Sequence, residues 1–182
     1  ERDELLRAAG AEPVAFDPLT GALPSGSAAL VLPGGFPELY CEQLAANDGV
    51  RAQIRDLAAG APVHAECGGL TYLMSDLDGH PMCGVLAGSA RFTQRLTLGY
   101  RDAVAAADSA LYDAGQRVTG HEFHRTTVEF AEDVQPAWLP SGEGAVRAGV
   151  HASYLHTHPA GVPGATRRFV ERAAATRVLS RG

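Results

Sequence analysis

The segment His64-Ala65-Glu66-Cys67-Gly68-Gly69-Leu70 sets a cysteine between the end of a strand candidate and two glycines. That is the pattern of a nucleophile carried on a tight strand-to-helix turn. At such a turn the free N–H groups and positive end of the helix favour thiolate over thiol, and the N–H of Gly68 becomes a natural donor to an oxyanion. An inert buried cysteine at a strand end is the alternative that this segment alone leaves open. A second glycine pair, in Pro33-Gly34-Gly35-Phe36-Pro37-Glu38, follows an apolar run. Its backbone amides could complete an oxyanion site opposite Cys67, although a plain strand-to-helix turn would need the same residues. It is not a phosphate loop, because the Lys-Ser/Thr that closes such a loop is missing.

A cysteine nucleophile needs a base that can take its proton and return it to a leaving amine. Val150-His151-Ala152-Ser153-Tyr154-Leu155-His156-Thr157-His158 offers three histidines. The rival is zinc, since His156 and His158, two apart on an extended strand, share a face; the rest of a zinc shell is not evident. His121-Glu122-Phe123-His124 lacks the helical HExxH spacing of a metalloprotease and reads either as a polar loop near a pocket or as a substrate-binding segment. No metal ligand set is expected, and His64 and His80 read as ordinary residues.

These residues need a scaffold. Residues 28–33 form a continuous apolar run stopped by Gly34-Gly35, which suits a strand covered on both faces of a parallel sheet. Residues 61–66 are the next strand candidate and lead through Cys67 into a helix at about 69–76. Helices are expected at 3–10, 37–46, 48–59 and 163–179, ended or started by Gly10, Pro37 and Pro163. From Gly84 to Phe130 β-branched, alternating segments (91–100, 118–123, 126–130) predict a mostly antiparallel excursion. Residues 146–155 supply one or two further short strands, and 136–144 is the longest loop signal. The sum is an α/β layered domain with a β-rich insert.

With 182 residues, 46% of them hydrophobic, the chain can bury one good-sized core. Its formal net charge of −6 and pI near 5.6 offer no broad basic surface, so neither nucleic acid nor an anionic membrane is an expected partner. No apolar run reaches the length of a membrane span, and Glu1-Arg2-Asp3-Glu4 is unlike a signal peptide, which predicts a cytoplasmic protein. Cys41, Cys67 and Cys83 are odd in number and lack CxxC spacing, against both a disulfide framework and a zinc knuckle.

Taken in order, the segments Ala9-Gly10-Ala11-Glu12, Phe16-Asp17-Pro18-Leu19, Pro33-Gly34-Gly35-Phe36-Pro37-Glu38, Ala65-Glu66-Cys67-Gly68-Gly69-Leu70, Leu96-Thr97-Leu98-Gly99-Tyr100-Arg101, Gly120-His121-Glu122-Phe123-His124 and Ala152-Ser153-Tyr154-Leu155-His156 form one pattern. It resembles the class I-type glutamine amidotransferase domain of cobyrinic and hydrogenobyrinic acid a,c-diamide synthases. The resemblance implies a flavodoxin-like layered sheet, without its first strand, over residues 1–182. It also implies that this is the C-terminal part of a longer synthetase, whose absent N-terminal domain uses ATP and magnesium, with no cofactor in this domain. Glutamine would be the substrate here and a corrin acid the acceptor in the other domain, in cobalamin biosynthesis.

By the same resemblance Cys67 is the nucleophile and His156 the base, with Gly34, Gly35 and Gly68 near the oxyanion. His121, Glu122 and His124 would line an interface or ammonia channel, and a homodimer stays open. Two departures stand out. The wider class places glutamate two residues after its histidine, where this chain has His158, so a Cys-His dyad is implied with no orienting partner identified for His156. A glutamine-contacting Gln often stands where this chain has Thr71. The remaining alternatives are a related amidotransferase of the cobyric acid synthase or peptidoglycan-amidating type, and an inactive domain of the same fold.

Overall fold

The computed structural model describes residues 2–179. Helix α1 (Arg2–Ala8) is followed by an irregular stretch and then the short strand β1 (Leu30–Leu32). The expected helix at 37–46 is interrupted: a single 3-10 turn at Pro37–Leu39 gives way at Tyr40 (φ −129°) to α2 (Cys41–Ala46). Asn47 then caps α3 (Asp48–Ala58), its side chain accepting from the N–H of Val50 at 3.3 Å. Val50, Ile54 and Ala58 recur on one buried face of α3, as the apolar spacing predicts.

Strand β2 (Val63–Glu66) runs into α4 (Gly68–Leu73), and α4 passes directly into β3 (Met74–Leu77). The helix stops short of residue 76 because Met74 turns extended (ψ 171°), and β3 pairs in parallel with β5 (Leu86–Ala105). Tertiary pairing here overrides local helical preference. A two-residue strand β4 (His80–Pro81) borders β3. Strand β5 and β6 (Arg117–Phe130) form one long antiparallel hairpin, fusing the separate segments expected from sequence; a register shift lies between Phe92 and Thr97. The chain continues through β7 (Trp138–Leu139), β8 (Ala145–Arg147), β9 (Val150–Ser153) and β10 (His156–Thr157) to α5 (Pro163–Leu179).

Two sheets result. In the first the order is β1-β2-β9-β8, with β1, β2 and β9 parallel and β8 antiparallel; in the second it is β10-β6-β5-β3-β4, with β7 beside β5. The parallel strands are nearly free of exposed side chains: Val63, Ala65, Val150 and Ala152 pack into one core with Leu70, Leu73 and Ile54. A second cluster gathers Trp138, Tyr112, Leu111 and Phe169. Strand β1 lies at the edge of its sheet. Beside it is a cleft of about 1410 Å³, lined by Leu30 and Leu32 and by the irregular residues 13–16.

Candidate active site

Cys67 stands between β2 and α4 in a backbone conformation that L-residues rarely adopt, φ 50° and ψ −104°. The turn is held from both sides. The Cys67 N–H donates to the Ser153 carbonyl of the neighbouring strand β9 at 2.7 Å, and the Cys67 carbonyl accepts from Thr71 N–H at 3.2 Å. Such strain persists only where the surroundings over-determine it, and it aims the side chain out of the strand end.

The Gly34-Gly35 loop lies directly against this turn. A Cβ on Gly68 would stand 3.0 Å from the amide nitrogen of Gly35, and one on Gly34 would sit 3.3 Å from Nε2 of His156 and closer still to Cε1. Only glycines permit this approach. The structure therefore brings together Cys67, His156, Gly34, Gly35 and Gly68. The N–H groups of Gly68 and Gly35 both act on the Cys67 sulfur, lowering its pKa.

Burial wins over those amides. It pushes the Cys67 thiol up to about 11, with the charges of Glu38 and Glu66 adding to the rise. The sequence expectation that the helix end would favour thiolate is thus corrected: α4 has six residues and contributes the Gly68 amide, which with that of Gly35 does not offset the desolvation of a sulfur that is only 6% exposed. In the resting state the thiol is protonated and points at the Phe123 carbonyl of β6, 3.6 Å away. A base must remove its proton at the moment of attack.

His156 is delivered by pairing. It opens β10, where its register partner on β6 is His121, and the two imidazoles stack with centroids 5.0 Å apart. Burial holds His156 below the ordinary histidine pKa, with Glu66 raising it and His121 lowering it. A neutral imidazole is what a general base requires.

The other residues singled out from sequence are placed as follows. His121 covers His156. Glu122 forms an ion pair with Arg101 at 2.9 Å. His124 stacks on Tyr154, centroids 3.7 Å apart, with Nδ1 bonded to the Thr126 carbonyl, and burial lowers its pKa. His158 is on the surface, its Nδ1 accepting from Ala160 N–H. Among the described residues no group of three or more His, Cys, Asp and Glu side chains is arranged to hold a metal ion. Thr71 is fully buried, its hydroxyl donating to the Gly68 carbonyl, so it cannot replace a glutamine-contacting side chain.

Two carboxylates near the site were not singled out from sequence. Glu66, the residue before Cys67, is 3% exposed; its Oε2 accepts from Arg2 at 2.6 Å and lies 3.9 Å from Nδ1 of His156. Its Oε1 is 3.4 Å from His64 Nε2, so His64 is not an ordinary residue but a contact of this buried carboxylate. An acid closing a strand of a buried parallel sheet was the available signal, since such a group is costly to bury without partners. Glu143 sits in the 136–144 loop and accepts from Tyr154 N–H at 2.5 Å and Ser153 Oγ at 3.0 Å. It clamps the turn that carries His156. Burial raises its pKa to about 7 against those two hydrogen bonds.

The geometry is joined by the sequence comparisons. Residues 4–162 match the CobB/CobQ-like glutamine amidotransferase domain family. The hydrogenobyrinate a,c-diamide synthase of Mycobacterium tuberculosis is 67% identical over 182 residues, covering 96% of this chain and 40% of that protein. The cobyrinate a,c-diamide synthase of a Synechococcus strain is 40% identical, covering 98% and 42%. A crystal structure of a glutamine amidotransferase superposes with a TM-score of 0.68 at 21% identity over 94% of this chain and 92% of its own, which shows a shared fold. The chain spans about 40% of the length of the curated relatives it matches. On its sequence match and its fold, this chain belongs to the CobB/CobQ-like glutamine amidotransferase domain family.

Proposed function

We propose that this domain hydrolyses glutamine at Cys67 and supplies the ammonia to a synthetase that amidates the a and c carboxylates of hydrogenobyrinic acid in cobalamin biosynthesis. The observation that carries the reading is the Cys67 turn, strained and facing the amides of Gly35 and Gly68 with His156 beside Gly34. The cobalt-free acceptor is favoured over cobyrinic acid by identities of 67% against 40% to relatives bearing those names.

In this mechanism His156 takes the Cys67 proton as the sulfur attacks the side-chain amide carbon of glutamine. The Gly35 and Gly68 N–H groups receive the charge that develops on the carbonyl oxygen. His156 then gives its proton to the leaving nitrogen, ammonia departs, and a glutamyl thioester remains on Cys67. Water, deprotonated by His156, hydrolyses the thioester to glutamate and restores the thiol.

The acceptor acid, ATP and magnesium belong, in this proposal, to the part of the longer protein that the chain does not span, in the cytoplasm. The long hairpin offers the docking face. Tyr100 pairs with His121, and Leu98 with Phe123, so these four side chains share the face on which His156 also lies. Tyr100 is 84% and Leu98 62% exposed, and such neighbouring apolar exposure marks an interaction surface.

The test is glutamate release by the full-length protein. Cys67→Ala and His156→Ala should each abolish it while amidation with added ammonium salts continues. Unchanged glutamate release by Cys67→Ala would overturn the reading.

A further inference from the structure

We propose that Glu66 is the positioning residue for His156, taking in space the role that the wider class assigns to a glutamate two residues after the histidine. The inference rests on the glutaminase reading of Cys67 and His156. Strand β2 ends at Glu66, whose side chain lies on the opposite face of the strand from that of its neighbour Ala65. The strand end thus carries a carboxylate one residue before the turn that bears the thiol, and β10 is anchored on the carboxylate. Oε1 accepts from the Thr157 N–H at 3.4 Å, and Oε2 faces His156 Nδ1 at 3.9 Å.

The carboxylate is charged. Burial works against ionisation, but His64 and Arg2 outweigh it and bring Glu66 down to about 2. The charged and titratable groups around the pair are Arg2 of α1, His64 of β2, Cys67, His151 of β9, His121 and His124 of β6, and Tyr112, whose hydroxyl bonds to Thr157 Oγ1 at 2.9 Å. A fixed anion on the Nδ1 side of an imidazole favours the tautomer with the proton on Nδ1. Nε2 is then left as the acceptor for the Cys67 proton, and the imidazolium that forms is stabilised by the anion behind it. At 3.9 Å the two groups are beyond hydrogen-bond distance in the resting site and form an ion pair once His156 takes up the Cys67 proton; catalytic contacts of this kind often tighten in the substrate complex.

This explains how the site works with His158 where the class has glutamate. His158 lies on the surface beyond Thr157, while Glu66 approaches the same imidazole from the parallel sheet.

The experiment uses the full-length protein labelled with 15N-histidine, His156 being assigned from a His156→Gln sample. Wild type is expected to show the Nδ1–H tautomer. Glu66→Gln is expected to lower the His156 pKa, to move the acid limb of the glutaminase profile to lower pH by the same amount, and to reduce kcat by about 10- to 100-fold with KM for glutamine nearly unchanged. Glu66→Asp, which keeps the charge, should recover part of kcat. An Nε2–H tautomer in wild type, or a Glu66→Gln protein whose His156 pKa and kcat both match wild type, would overturn the proposal. The wild-type tautomer is read without any substitution at Glu66, so a misfolded Glu66→Gln protein leaves the test intact. Absence of glutaminase activity in wild type would remove the functional reading alone, because tautomer and pKa report on the Glu66–His156 pair regardless of turnover.

Discussion

The backbone of Gly34 lies so close to the imidazole of His156 that a single methyl group at residue 34 would overlap Cε1. The glycine loop and the histidine are one packed unit. Gly34→Ala must displace either the ring or the loop. Because a misplacement of about 1 Å costs on the order of 100-fold in a positioned reaction, kcat for glutamine hydrolysis should fall by about that factor. Thermal melting should show the fold retained. A Gly34→Ala enzyme with wild-type kcat would show that the loop moves away during turnover.

Cys67 is strained at φ 50° and ψ −104°, a cost that glycine does not bear. Cys67→Gly should therefore be more stable than Cys67→Ala by about 1 kcal/mol, the reverse of the usual order of these residues. Both remove the thiol and both should be inactive. Urea melts of the two variants check the difference, and an Ala variant more stable than Gly would mean that the turn relaxes once the sulfur is gone.

His151 is fully enclosed by Tyr112, Trp138 and His64, with its Nδ1 lacking a hydrogen-bond partner. Burial lowers its pKa to about 3, so the native protein binds fewer protons than the unfolded chain between pH 3 and the ordinary histidine value. Stability therefore rises with pH in that window and is lost as pH falls. Between pH 7.5 and pH 5 the loss attributable to His151 is about 2 kcal/mol. His151→Phe keeps an aromatic ring without the titration, and its stability should fall less over this range. Denaturant melts of both proteins at the two pH values measure the difference; equal losses would refute the assignment.

Leu98 and Tyr100 project from the hairpin face that continues from His121 and His156. If that face receives the synthetase part of the longer protein, Leu98→Asp combined with Tyr100→Glu should reduce glutamine-dependent amidation about tenfold, matching the loss of an interface anchor of ~1.4 kcal/mol. Amidation with free ammonia should be unchanged, and the melting temperature nearly so, since exposed positions contribute little to stability. Equal loss with both nitrogen donors would place the effect outside docking.

Local sequence determined the parts of this protein whose signals are contiguous. The apolar run before Gly34 specified a strand covered on both faces, the segment before Cys67 a second strand, and the glycines beside them marked where the backbone must approach closely. The order of motifs was enough to identify the family. Tertiary structure decided the rest. The ionisation of Cys67 depended on burial exceeding two amide contacts, a balance no linear pattern reports. Segments 91–100, 118–123 and 126–130 fused into two long strands because cross-strand pairing carried the chain past its local breaks. Glu66 and His156 are ninety positions apart in sequence, and Glu66 reads as a strand-end acid until β2 and β10 are set side by side. A buried carboxylate gains its meaning from the groups folded around it, and Arg2, His64, His151 and His156 come from four separate elements of the chain.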